Sequence, residues 1–245
     1  MLSAWAGALA PVFSDTDVSG TRHLVRPSGT GYVLAANHTS FFDPVLLIGT
    51  LHRLGLRPAV LATAGLWRVP LLGRALTREG YVPVQRGGRR AGDALRAAAD
   101  ALAAGRGVLV YPEGGLPRYR ASHDRPPGRL KSGVVRLALS TGAPVLPVGH
   151  AGARRVSSGS LAKQLAGWAT APVRRPRVHV HIGPALRLDT SDHPLDALET
   201  ALAQAWSTAV SALDGGAGEE GGSAEEGGPR GAHGGPGGGG GTEGR

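Results

Sequence analysis

The sequence predicts a single α/β domain, a mixed and mostly parallel sheet flanked by helices, on three observations. Short apolar runs alternate with segments of helical period from Tyr32 to Leu213, the order that builds strands crossed over by helices. Glycine and proline separate these runs and punctuate the chain into short elements. A length of 245 residues with 41% hydrophobic content supplies one substantial core and is short for two.

Taken in order, Tyr32 to Ala36 reads as a strand, Pro44 to Leu54 as a helix and Ala59 to Ala62 as a second strand. Trp67 to Leu76 reads as a short helix broken near Pro70 and Gly73, and Tyr81 to Val84 as a third strand. Leucines 95 and 102 among alanines make Ala91 to Ala104 a strong helix, with Gly105 placed where a C′ glycine belongs. Gly107 to Tyr111 is the next strand; a loop rich in proline and arginine runs to Arg129; Ser132 to Ser140 is a helix and Val145 to Val148 a strand. Val178, Val180 and Ile182 alternate with His179 and His181, the period of a half-exposed strand whose wet face holds the two histidines. The last helix runs from Pro194 to Leu213, with Asp192 as its cap.

Both ends differ from this body. Residues 1–23 form an N-terminal segment whose apolar run, Ala4 to Phe13, is about half the roughly 20 residues that a spanning helix needs. No basic region precedes it, so neither a transmembrane helix nor a signal peptide is expected. Trp5 and Phe13 would anchor the segment if it lies at a membrane interface, and the plainer expectation is a first helix packed on the core. Residues 24–214 are expected to form the single folded domain. In 215–245, 16 of 31 positions are Gly, too little apolar surface to offset the entropy of ordering, which marks a disordered tail rich in Gly and Glu.

Without that tail the chain holds 25 basic and 13 acidic side chains, a net +12. Such a surface attracts phosphates, whether on nucleic acid, lipid headgroups or a small substrate. All but two of the basic residues are Arg, so a compositional bias explains part of the excess. The absence of cysteine excludes disulfides, thiolate metal sites and a cysteine nucleophile. The histidines lack the clustering with acids that a metal requires, so no metal is expected.

The first strand leads into Asn37-His38-Thr39-Ser40-Phe41-Phe42-Asp43-Pro44. An imidazole suits general-base work near neutral pH, and a carboxylate on its other nitrogen fixes the tautomer and stabilises the imidazolium. Nine histidines and ten aspartates give about 0.4 pairs at this spacing by chance, so the pair alone is weak. On a regular helix five steps separate the side chains by roughly 140°, so contact requires His38 to lie in the turn ahead of the helix. Otherwise Asp43 merely caps a helix and His38 packs at a strand end.

Four stretches in order make the pattern specific. The Asn37-His38-x4-Asp43 element is followed by Trp67 to Gly73 with Gly80-Tyr81-Val82-Pro83-Val84-Gln85-Arg86, then by Tyr111-Pro112-Glu113-Gly114 with Lys131-Ser132-Gly133, then by Ala143-Pro144-Val145-Leu146-Pro147-Val148. Over residues 24 to 185 the sequence resembles the 1-acyl-glycerol-3-phosphate acyltransferase family of glycerolipid acyltransferases. The resemblance implies His38 as general base with Asp43 as its partner. It also implies Arg86, Glu113, Gly114 and Lys131 as acceptor-binding residues, and acyl-CoA or acyl carrier protein as co-substrate with no further cofactor. A peripheral enzyme of phospholipid biosynthesis on the cytoplasmic side of the membrane follows from the same resemblance.

The residues themselves fit these roles unequally. Arg86 offers a planar fork to a phosphate, and Lys131 adds a charge at a helix start. Glu113 would repel a phosphate, so it suits an acceptor hydroxyl or a neighbouring arginine. The loop departs from the family pattern: Gly115-Leu116-Pro117 stands where the family places a threonine and then an arginine or serine. Arg118 or Arg120 could serve the phosphate from the longer loop, or the acceptor is a different lipid, such as a glycolipid or an amino-lipid. The stretch Arg154 to Arg177 holds six basic residues with Leu161, Leu165 and Trp168 at helical spacing. It suits either an anionic bilayer surface or a core-facing stripe with a charged outer side. A nucleic-acid-binding module is the rival from another class; 4% aromatic content and the lack of a groove-reading motif weigh against it, so no nucleic-acid partner is expected.

Overall fold

The computed structural model describes residues 2–24, 31–85, 91–116 and 123–219. Within them one sheet is built from β1 (Asp15–Ser19), β2 (Val33–Ala36), β3 (Ala59–Thr63), β4 (Val82–Val84), β5 (Val108–Val110), β6 (Val145–Ala151) and β7 (Arg177–Ile182). The strand order is β1-β7-β6-β2-β5-β3-β4. Strands β6, β2, β5, β3 and β4 are mutually parallel, whereas β7 runs antiparallel to β6 and pairs in parallel with β1. The sheet is therefore mixed and mostly parallel, as the sequence predicts.

The central strands are buried on both faces. Leu34 and Ala36 of β2 join Leu109, Leu146 and Val148 in one apolar layer, covered by α2 (Asp43–Arg53) through Phe42, Leu46, Leu47 and Leu51. Val33 and Ala35 face the other layer, covered by α4 (Ala91–Ala103), α5 (Gly133–Thr141) and α8 (Pro194–Glu219) through Leu102, Leu137, Leu198 and Leu202. Burying each such leucine contributes about 1.5–3 kcal/mol. Helix α1 (Leu2–Phe13) packs on α2; α3 (Pro70–Arg78), the short α6 (Ala153–Val156) and α7 (Leu161–Arg174) complete the set.

Three features differ from the sequence expectation. Strand β1 carries one apolar residue in five, too little periodicity to read, yet it pairs with β7. It brings the segment 1–23 into the sheet and removes the wet face expected of His179 and His181, because both rings hydrogen-bond Ser19 Oγ at 2.8 Å. Burial lowers the pKa of both imidazoles. Secondly, Pro70 starts α3 instead of breaking it, and Gly73 lies inside it.

Thirdly, β6 runs three residues past Val148 because α8 lies directly on it. A Cβ at Gly149 would stand 2.1 Å from the carbonyl carbon of Ala205, so only glycine admits this approach. Helix α8 opens at His193, whose carbonyl accepts from the Ala197 amide, one residue after the expected Asp192 cap. It continues to Glu219, into the first residues of the segment expected to be a tail; the remainder of 215–245 lies outside the described residues.

Candidate active site

Strands β2 and β5 are neighbours, so the loops at their carboxyl ends meet where open α/β sheets form clefts. Residues 37–40 leave β2 without helical structure and α2 begins at Asp43, which is the turn that contact between His38 and Asp43 requires. Nδ1 of His38 lies 2.9 Å from Asp43 Oδ2. The carboxylate is wholly buried and also accepts from the amides of Thr39 at 2.6 Å and Ser40 at 2.9 Å. Asp43 is thus no simple helix cap, since it bonds back to the turn that holds the imidazole.

Burial alone would push the Asp43 carboxyl up. The neighbouring His150 and His38 and the bonds from His38 and Ser40 outweigh burial and hold it below its ordinary 3.8. An ionised Asp43 accepts the Nδ1 proton, which fixes the tautomer that leaves Nε2 as the base. Stacked on the imidazole, with centroids 4.3 Å apart, is the ring of Tyr111. Burial, helped by the charge of Asp43, raises the Tyr111 phenol well above 10, so this neighbour stays neutral.

Two residues beneath the pair complete a buried knot. Asn37 exchanges both side-chain bonds with the backbone of His150, Nδ2 to its carbonyl at 3.0 Å and its amide to Oδ1 at 2.9 Å. These bonds carry the ladder between β2 and β6 beyond the strand end. His150 in turn places Nε2 at 2.8 Å from the Asn37 carbonyl and 3.6 Å from Asp43 Oδ2, with no exposure. Sequence reasoning quoted Asn37 only as part of a motif and passed over His150, because the strand was expected to stop at Val148. Arg154, expected as part of a solvated basic face, is buried and donates to the Thr39 carbonyl.

Glu113, Gly114 and Lys131 come together beside the pair. One Glu113 oxygen accepts from the His38 amide at 2.8 Å and the other from the Gly128 amide at 2.9 Å. The carboxylate therefore clips two loops to each other. Gly114 turns the chain with φ +76°, and the stem of Lys131 packs over it, Cγ 3.3 Å from where a Cβ would stand. Glycine meets both demands. Arg86, Arg118 and Arg120, the expected phosphate ligands, lie outside the described residues.

A cleft of about 400 Å3 opens at His38 and is walled by Thr39, Glu113, Leu116, Arg125 and Arg129. Arg125 and Arg129 are cations that sequence reasoning did not single out. The amides of His38, Thr39 and Ser40 are bonded to Glu113 and Asp43, so these three are already engaged and not free to meet an oxyanion. Among the described residues no hydroxyl or thiol is hydrogen-bonded to His38, and no cluster of His, Asp or Glu is arranged to hold a metal.

An imidazole oriented by a buried carboxylate at the mouth of a parallel sheet, with no protein nucleophile on it, defines a site for base-assisted group transfer. The Acyltransferase family model matches residues 16–151, and the chain belongs to that family. A chloroplastic 1-acyl-sn-glycerol-3-phosphate acyltransferase from Brassica napus is 32% identical over 145 residues, 59% of this chain and 39% of the relative. A 1-acyl-sn-glycerol-3-phosphate acyltransferase from Borreliella burgdorferi is 29% identical over 132 residues, 54% of this chain and 49% of the relative. The chain thus spans less than half the length of these curated relatives. The crystal structure of the 1-acyl-sn-glycerophosphate acyltransferase PlsC from Thermotoga maritima superposes with a TM-score of 0.59 at 20% identity, covering 92% of this chain and 80% of that one, which establishes the shared fold.

Proposed function

We propose that the protein transfers a fatty acyl group from a thioester, acyl-CoA or acyl carrier protein, to the free hydroxyl of 1-acyl-glycerol-3-phosphate, giving phosphatidic acid. The observation that carries this is the contact of His38 Nδ1 with Asp43 at 2.9 Å in a chain of the acyltransferase family. His38 Nε2 takes the hydroxyl proton as the oxygen attacks the thioester carbonyl, and Asp43 stabilises the imidazolium. The tetrahedral intermediate then expels the thiolate, which leaves as the thiol after taking the proton from His38. The developing oxyanion is met by groups on the other wall of the cleft, with Arg125 and Arg129 supplying positive charge. No covalent acyl-enzyme, metal or further cofactor takes part.

The acceptor is a lipid, and the surface suits a bilayer. Trp5, Leu9 and Val12 of α1 and Leu161, Leu165 and Val173 of α7 are exposed, as is Phe41 beside the catalytic pair. Among the described residues no helix is long and apolar enough to cross a membrane. Exposed apolar residues on a basic domain favour peripheral contact with anionic lipid, and we place that contact on the cytoplasmic side. Product analysis after incubation with labelled acyl-CoA and matched lysophosphatidic, glycolipid and amino-lipid acceptors tests the reading. Labelled phosphatidic acid is expected; label confined to another lipid would reassign the acceptor.

A further inference from the structure

A second concavity, of about 540 Å3, lies beside α6 and α7 and plays no part in the proton transfer. Its walls carry His123, Arg154, Arg155, Lys163, Thr170 and Arg174, with no Asp or Glu among the described residues that line it. Arg174 is fixed by bonds to Thr170 Oγ1 at 3.0 Å and to the carbonyls of Arg155 and Gly167 at 3.3–3.4 Å. Arg155 and Lys163 are exposed and have no ion-pair partner among the described residues. Lys163, Gly167, Thr170 and Arg174 share one flank of α7, while Leu161 and Leu165 stand exposed on another. The helix thus separates a basic, hydroxyl-bearing groove from an apolar surface. Converging cations with no carboxylate among them suit phosphate oxygens.

The groove shares a wall with the His38 cleft. Arg154 donates to the Thr39 carbonyl, and Ser40 Oγ donates to the Ser157 carbonyl at 2.8 Å, so the catalytic loop and α6 are stitched together. On the other side Arg125, which lines the His38 cleft, donates to the ring of His123, which lines the groove, at 3.2 Å. A molecule reaching across this wall would have its reacting carbonyl at His38 and its phosphates at Arg155 and Lys163. In thioester acyl transfer that molecule is the donor, since the acceptor's phosphate belongs near Lys131.

We propose that the α6–α7 groove binds the phosphates of an acyl donor whose thiol is carried by a nucleotide, as in coenzyme A. The proposal rests on the acyl-transfer reading, and its test separates the two. Coenzyme A and 3′,5′-ADP binding is measured by calorimetry for the wild type and for Arg155→Ala/Lys163→Ala, alongside rates with acyl-CoA, acyl-pantetheine and acyl carrier protein. The variant is expected to bind coenzyme A about tenfold more weakly and to raise KM for acyl-CoA about tenfold, since two phosphate contacts are lost. Its kcat, its KM for acyl-pantetheine and its KM for the lipid acceptor stay unchanged. Unaltered coenzyme A affinity, an equal rise for acyl-pantetheine, or a rise confined to acyl carrier protein or to the acceptor would overturn the proposal. Loss of coenzyme A binding in a chain whose wild type transfers no acyl group would leave the groove assignment standing and remove the acyl-transfer reading.

Discussion

The two walls of the His38 cleft are built differently. On the wall formed by β2, β6 and α2, Asn37, Asp43 and His150 are wholly buried and each side chain makes at least two polar contacts. The wall formed by residues 113–116 and 123–131 is loop, with exposed Arg125, Arg129 and Lys131, held to the first by the Glu113 carboxylate. Breaking the bonds of a buried polar knot leaves groups unpaired in addition to His150 Nδ1, which has no partner among the described residues, whereas exposed cations on a loop tolerate change at little cost. Under the proposed function, the buried wall carries the proton transfer and the loop wall the acceptor selection.

The sharpest way to break this contrast is Asp43→Ala. Removing a buried carboxylate that serves the imidazole and two amides should cost about 3–5 kcal/mol of stability, read by denaturant unfolding, and bring activity close to background. Asp43→Asn gives the pH version. Because the folded pKa lies below 3.8, the unfolded chain takes up this proton first as pH falls. The stability it confers is present above about 3.8 and is lost as pH drops through the folded value; the asparagine variant should lack that part of the acid slope.

His150→Phe comes next. It deprives the Asn37 carbonyl and Asp43 of their neighbour, so kcat should fall roughly ten- to thirtyfold at nearly constant KM, equivalent to about 1–2 kcal/mol. Because Asp43 also loses a group that lowers its pKa, the part of the acid unfolding slope that Asp43 supplies should become shallower; a change in stability with kcat unmoved would make His150 a packing residue only. The smallest effect belongs to the two cations expected to hold the acceptor phosphate. Arg86→Ala and Lys131→Ala should each raise acceptor KM about tenfold while kcat and donor KM hold, and equal effects on both substrates would argue against a phosphate clamp.

Elements with strong periodicity were legible: the helix at Ala91 and the strands at Val33, Val108 and Val145 begin within about two residues of their expected positions. Strand β1 was not, because Asp15, Thr16 and Asp17 belong to an edge whose pairing, more than its composition, makes it a strand. The same limit hid His150: Gly149-His150-Ala151 carries no apolar alternation, and the contact with α8 that extends β6 is a tertiary fact. His38 and Asp43 were found because their spacing is local and their company ordered along the chain. The two bonds of Glu113 were not legible, because its partners, His38 and Gly128, offer backbone amides, which a sequence motif does not display.

The central claim, that His38 is the base of an acyl transfer, is tested most directly by thioester release from acyl-CoA in the presence of lysophosphatidic acid, for wild type and for His38→Ala shown by circular dichroism to be folded. Turnover by the wild type and a loss of at least ~100-fold in the variant are expected, the contribution of a positioned general base. A folded variant that keeps comparable turnover would contradict it.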